Sequence, residues 1–198
     1  MNIIQNKEKR KNQILDAAFS VFVERGYSDT TMDDIVKKSN MSKGAIYHYY
    51  DSKKDLFLSL IDHWETYSFP DFYRKGNRDK TAQETLYEMV DVVIDVFNKK
   101  RNVFLAEIEF WSLANKDTDV KDKSKILYEK LLLLFELIVK KGVREGEFKE
   151  VDTKLIAMTI LTSLQGINWF CLYEDTSIDA REYLKTSMAM IIDSLKRG

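Results

Sequence analysis

Apolar residues recur along this chain at helical spacing, and no segment alternates apolar with polar as a half-buried strand would. Residues 7–25 set Ile14, Leu15, Ala18, Phe19 and Phe22 on one face of a helix. Gly26 follows, the residue that most easily takes the left-handed backbone just past a helix end. Thr31, with Asp34 three residues on, makes a capping box that opens a short second helix carrying Ile35 and Val36 inward. That helix stops near Ser39-Asn40, and Asn40 tolerates the left-handed backbone a tight turn needs. Ser42 caps a third short helix over 43–49. Ser52 with Asp55 repeats the capping box and starts a helix over 53–68 through Leu56, Phe57, Leu60, Ile61 and Trp64. Pro70 predicts an end or kink of that helix near Ser68-Phe69.

Five further helical segments follow, at about 79–100, 102–115, 118–144, 152–173 and 179–197. Between them stand polar clusters such as Asn115-Lys116-Asp117-Thr118, or the glycines Gly142 and Gly146. There is no internal repeat and no low-complexity tract. One proline and seven glycines in 198 residues agree, because a many-stranded fold consumes turn residues. The expected fold is all-α with about nine helices, and 44% hydrophobic residues supply a core for one large or two small domains.

Charge changes the picture. The net charge of −1 speaks against a nucleic-acid binder until its distribution is read. Residues 1–60 hold ten basic and eight acidic side chains, whereas 61–198 hold 21 and 24. Lys7, Lys9, Arg10 and Lys11 form a basic entry, followed by Lys37, Lys38, Lys43, Lys53 and Lys54. A phosphate-binding surface needs local positive charge rather than a high overall pI. The single cysteine, Cys171, excludes an internal disulfide and a multi-thiolate zinc site, and no metal or cofactor is expected. The start MNIIQNKEKRKNQ lacks a signal-peptide core, which predicts a cytoplasmic protein. Residues 155–173 carry no charge until the stretch ends, yet Thr159, Thr162, Ser163, Gln165, Gly166 and Asn168 are too polar for a membrane span. A helix covered on both sides by protein explains them better.

Two short helices joined by a tight turn, packed on a preceding helix, describe a helix-turn-helix over Thr31–Tyr50. Ile46 and Tyr50 can pack inward. Lys43 and Tyr47, Gly44 and His48, Ala45 and Tyr49 then project outward as neighbouring pairs. Lys43 can donate to guanine, Gly44 lets backbone approach base edges, and tyrosine or histidine can reach phosphates or thymine methyls. Free N–H groups after Thr31, Ser42 and Ser52 can hold phosphates. Tyr47, Tyr49 and Tyr50 also fit a small helical bundle with no DNA role.

The segments ILDAAFSVFVERGY, TTMDDIV and MSKGAIYHYYDSKKDLF make residues 14–60 similar to the DNA-binding domain of the TetR family of bacterial transcriptional regulators. Asn40 stands where the family usually has glycine. The resemblance implies phosphate contacts by Thr31, Ser42, Tyr49 and Lys53, base contacts by Lys43, Gly44 and Tyr47, and either role for His48. It implies a DNA-binding domain over 1–52 and a ligand-binding and dimerisation domain over 53–198, linked by helix 53–68. It also implies a homodimer that binds an inverted repeat as a repressor and is released by a small-molecule effector.

Helix 152–173 is apolar nearly all round, so one side can meet its own domain and the other a partner chain. The stripe Leu184, Ser187, Met188, Ile191 and Leu195 in helix 179–197 can join it in a four-helix bundle across a two-fold axis, with Gly166 permitting close approach. Candidate pocket walls are Trp64, Tyr67, Tyr87, Phe97, Phe104, Ile108, Trp111, Phe135 and Trp169, with Glu107, Gln165 and Asn168 to orient a ligand. Most of these fit a plain core as well, and Glu107 and Glu109 fit solvated or lysine-paired carboxylates. An enzyme is not expected: neither His48 nor His63 has a metal-binding partner spacing, and no phosphate loop or nucleophile elbow occurs. The alternative to a regulator is a helical protein-interaction module.

Overall fold

A computed structural model describes residues 3–68, 80–173 and 176–196, with side chains from residue 6 to 64 in the first stretch. Every described element is a helix: α1 Ile3–Asp29, α2 Met32–Ser39, α3 Lys43–Tyr47, α4 Lys53–Ser68 and α5 Ala82–Lys99. The chain continues with α6 Asn102–Ala114, α7 Thr118–Arg144, α8 Thr153–Gln165, α9 Ile167–Leu172 and α10 Ala180–Leu195. Counting α8 and α9 as one helix broken at Gly166 gives the nine expected. Pro70 lies outside the described residues.

The chain forms two compact units, Met1–Glu65 with Leu105–Ser124, and Thr66–Phe104 with Lys125–Gly198. In the first, Ile14, Ala18, Phe22, Ile35, Ile46, Leu56, Phe57 and Ile61 are buried together. Phe57 is the hub, edge-on to Phe22 at 5.3 Å and to Phe110 at 5.4 Å, with Tyr27 at 4.7 Å. In the second unit, Leu86, Val90, Phe135, Val139, Ile160, Ile167, Leu184 and Met188 form the core.

Local chemistry sets the helix ends. Thr31 Oγ1 accepts the Asp34 N–H and Asp34 accepts the Thr31 N–H, a complete capping box, and Thr81 with Glu84 forms another. The box expected at Ser52 is different. Ser52 Oγ accepts the Asp55 N–H, but the Asp55 carboxylate reaches one residue further back, to the Asp51 N–H at 3.1 Å. Helix α1 starts earlier than expected, at Ile3, because the turn 3–6 (Ile-Ile-Gln-Asn) carries no proline or glycine. At Gly26 it kinks (φ 77°, ψ 162°) and then continues to Asp29. That backbone region is positive in φ but not left-handed helical, and glycine alone enters it without strain. Asn40 sits at φ 55°, ψ 29°, the left-handed turn expected of it.

Three expectations for the second unit are corrected. Gly142 lies inside α7 and does not break it: a Cβ there would meet the buried Phe148 ring at 2.3 Å, so packing demands the glycine. Gly166 does permit a close approach, but within the chain, where Tyr183 Oη lies 2.3 Å from the place of its missing Cβ and donates to the Ser163 carbonyl. The α10 stripe is likewise spent internally, since Leu184, Met188 and Leu195 are each 1% exposed. The apolar surface left open on these helices consists of Leu155, Met158, Trp169, Leu172 and Tyr173 on α8–α9 and its C-terminal cap, and Met190 on α10.

Candidate nucleic-acid interface

Helix α2 and the turn at Asn40 are built as the spacing predicts, and α3 ends at Tyr47 rather than at residue 49, with His48 and Tyr49 in the turn that follows. Ile46 is fully buried and Tyr50 nearly so, with burial pushing the Tyr50 phenol up to about 12. Anchored by these two, α3 presents Lys43, Gly44, Tyr47 and His48 to solvent, with Ala45 and Tyr49 half-buried. Ser42 Oγ accepts the Ala45 N–H at 3.2 Å and so holds the first turn of α3. His48 stands edge-on to Tyr49, ring centres 5.1 Å apart. Lys43 Nζ pairs with Asp33 at 2.9 Å, and this hydrogen bond raises its pKa. Both side chains are more than half exposed, so the pair is weak and a stronger anion can exchange it. Around Gly44 a Cβ would meet nothing within 4 Å, so no contact inside the protein requires a glycine there.

Lys53 is placed differently. Its ammonium donates to the carbonyls of Tyr27 at 2.6 Å, Ser28 at 3.2 Å and Thr30 at 2.7 Å, and lies 4.4 Å from the Tyr27 ring centre. An ammonium has three donors, so all are spent on the end of α1. Neighbouring groups tie the same region down. Glu109, half-buried, accepts the Tyr27 N–H at 2.7 Å, a backbone partner in place of the expected lysine or water. Lys54 bridges Asp117 at 2.8 Å and Asp119 at 2.6 Å; the hydrogen bond to Lys54 lowers the Asp117 pKa. The spacing within α4 gives no sign of these partners, which stand far off in sequence.

The candidate ligand residues divide between the units. Trp64, Glu107, Ile108 and Trp111 belong to the first, and Tyr87, Phe97, Phe104, Phe135, Gln165, Asn168 and Trp169 to the second. Trp64, Phe104, Glu107, Phe135 and Asn168 are buried, whereas Trp111 is 42% and Trp169 62% exposed. The Tyr67 side chain lies outside those described. Phe97 and Phe104 form a pair 6.2 Å apart, with the Arg101 guanidinium 5.2 Å from the Phe97 ring centre. Trp169 stacks on Tyr173 at 6.0 Å on the outer face of α9.

Known proteins place these features. Residues 14–60 match the family described as bacterial regulatory proteins, tetR family, and residues 65–196 match the C-terminal region of QacR-like proteins. The regulator QacR of Staphylococcus aureus strain Mu50 is 28% identical over 162 residues, covering 81% of this chain and 85% of QacR. The negative transcriptional regulator of the icaADBC biofilm operon, IcaR of Staphylococcus epidermidis, is 34% identical over 80 residues, 40% of this chain and 43% of IcaR. The structure of the regulator FadR from Bacillus subtilis in complex with stearoyl-CoA shares the fold, with a TM-score of 0.79 at 20% identity over 92% of this chain and 98% of that one. The match of 65–196 spans most of the chain and the match of 14–60 covers the helix-turn-helix, and so this chain belongs to the TetR family of DNA-binding transcriptional regulators.

Proposed function

We propose that the protein is a ligand-responsive repressor that binds an inverted-repeat operator as a homodimer and is released by a small-molecule effector. The observation that carries the DNA side is α3 itself, whose exposed Lys43, Gly44, Tyr47 and His48 rest on a buried Ile46–Tyr50 base. The bare Gly44 supports close approach to base edges, because nothing in the protein fills the space beside it. Lys43, Gly44 and Tyr47 are read as base contacts, with Ala45 and His48 beside them. Thr31, Ser42 and Tyr49 are read as phosphate contacts. Lys53 joins that set by exchanging one of its carbonyls for a phosphate oxygen.

The division of roles is DNA binding over 1–52 and effector binding with dimerisation over 53–198, in the cytoplasm. Two relatives support the regulatory reading: IcaR is a negative regulator, and FadR of Bacillus subtilis holds stearoyl-CoA. The exposed Leu155, Met158 and Trp169 supply an apolar face for a second copy. A two-fold pair would set its recognition helices about 34–36 Å apart. The effector site draws on the aromatic residues of the second unit, Tyr87, Phe97, Phe104 and Phe135, with Gln165 and Asn168 as its polar groups.

The test is selection of genomic fragments by the purified protein, then footprinting of the tightest. A protected inverted repeat, lost in a Lys43→Ala/Tyr47→Ala variant that keeps its helical spectrum, is the expected result. Equal protection by that variant would move recognition off α3.

A further inference from the structure

One carboxylate of the helix-turn-helix is turned to α3 rather than to its own helix. Asp33 and Asp34 both stand in the first turn of α2. Asp34 is committed there: its carboxylate accepts from the Thr31 N–H and hydroxyl and pairs with Arg25 at 2.9 Å. Asp33 takes no part in that capping box. Lys37 stands four residues on, the spacing of an ion pair along a helix. The Asp33 carboxylate instead lies 2.9 Å from Lys43 Nζ, at the first position of α3. Its side chain is 64% exposed and that of Lys43 59%, so the pair adds little to stability.

A carboxylate in that place is selective by its chemistry. Phosphates repel it, and guanine and thymine offer only acceptors on their major-groove edges. The donors in that groove are the exocyclic amino groups, N4 of cytosine and N6 of adenine. Asp33 therefore presents an acceptor beside the donor of Lys43, 2.9 Å from it. That separation is close to the rise between neighbouring bases of one strand, about 3.4 Å.

We infer that Asp33 is a base-reading residue, which accepts a hydrogen bond from the amino group of a cytosine or adenine within one base step of the base that Lys43 reads. It rests on the DNA-binding reading of α3 and extends recognition to α2. In the free protein the two side chains satisfy each other. On the operator Lys43 turns to a purine acceptor and Asp33 takes the amino hydrogen. On other sequences the carboxylate meets acceptors alone, which weakens binding there and sharpens the choice of site.

The test selects binding sites from a duplex library randomised across the footprinted repeat, with the full chain, Asp33→Ala and Lys43→Ala. The Lys43→Ala profile locates the base that Lys43 reads. Asp33→Ala is expected to lose about tenfold of the preference for cytosine or adenine at one position in each half-site. That position lies within one base step of the Lys43 position, the other positions keep their preferences, and the helical spectrum is unchanged. The base that the unaltered chain selects there tells cytosine from adenine. An Asp33→Ala profile like that of the unaltered chain overturns the inference, and so does an affinity that rises on all sequences alike, the mark of a carboxylate that only repels phosphates. Equal relaxation at every position overturns it too, because Asp33 would then hold α3 rather than read a base. If the unaltered chain selects no sequence, the α3 reading falls and this one with it; selection that is indifferent to Asp33 sinks this one alone.

Discussion

Lys53 and Gly44 show what one residue decides. The Lys53 ammonium closes the end of α1 with three bonds to carbonyls 23 to 26 residues away, so its first role is structural. Lys53→Met is expected to cost about 1–2 kcal/mol, read from the denaturant midpoint, because charged hydrogen bonds to those carbonyls are lost. The same variant's salt slope on the operator, shallower by about one, checks the phosphate role. Gly44 behaves in the opposite way. Its surroundings are empty, so Gly44→Ala should leave stability unchanged or raise it by about 0.5–1 kcal/mol. Operator affinity should nevertheless fall, since a methyl group then stands where bases approach; an affinity as high as before would free Gly44 from the contact set. The openness of Gly44 was legible from its place in the outward pairs, whereas the Lys53 bonds depend on a fold that brings α4 to the end of α1.

Among the elements, helix ends were legible and helix faces less so. A capping box is a local arrangement, and Thr31 with Asp34 forms one as the spacing predicts. The Asp34 carboxyl is held below its ordinary 3.8 by its hydrogen bonds to the Thr31 hydroxyl and backbone N–H. A depressed pKa contributes stability that is present above the unfolded value and lost as pH falls through the folded one. Thermal unfolding from pH 7 to pH 3 should therefore show a loss below about pH 4 that is smaller in Asp34→Asn. Faces need a neighbour. The α10 stripe and Gly166 read from sequence as parts of an interface between chains, yet Tyr183 fills the Gly166 gap from the same chain. Gly166→Ala should cost about 1–3 kcal/mol through overpacking. A double-mutant cycle with Tyr183→Ala should return a favourable coupling, and additive costs would place the strain elsewhere.

At the scale of the molecule, packing departs from chain order. Residues 105–124 form a compact unit with 1–65, through Glu109 to the Tyr27 N–H, Lys54 to Asp117 and Asp119, and Phe110 against Phe57. The proposed dimer rests on the apolar residues that a single chain leaves exposed. Leu155→Glu with Trp169→Glu should shift the mass in solution from twice the 23.3 kDa chain toward the chain alone and weaken operator binding with it. A double variant that remains a dimer would place the interface on another surface.

The sequence by itself determined the helices, the Thr31 cap, the Asn40 turn and the outward face of α3, because periodicity and capping act within a few residues. Only the tertiary structure decided which apolar stripe meets its own chain and which cation is spent on a carbonyl. Periodicity states that a face is buried and leaves its partner open; the partners of Lys53, Gly142 and Gly166 come from folding segments together, and Glu109 reaches Tyr27 across 82 residues.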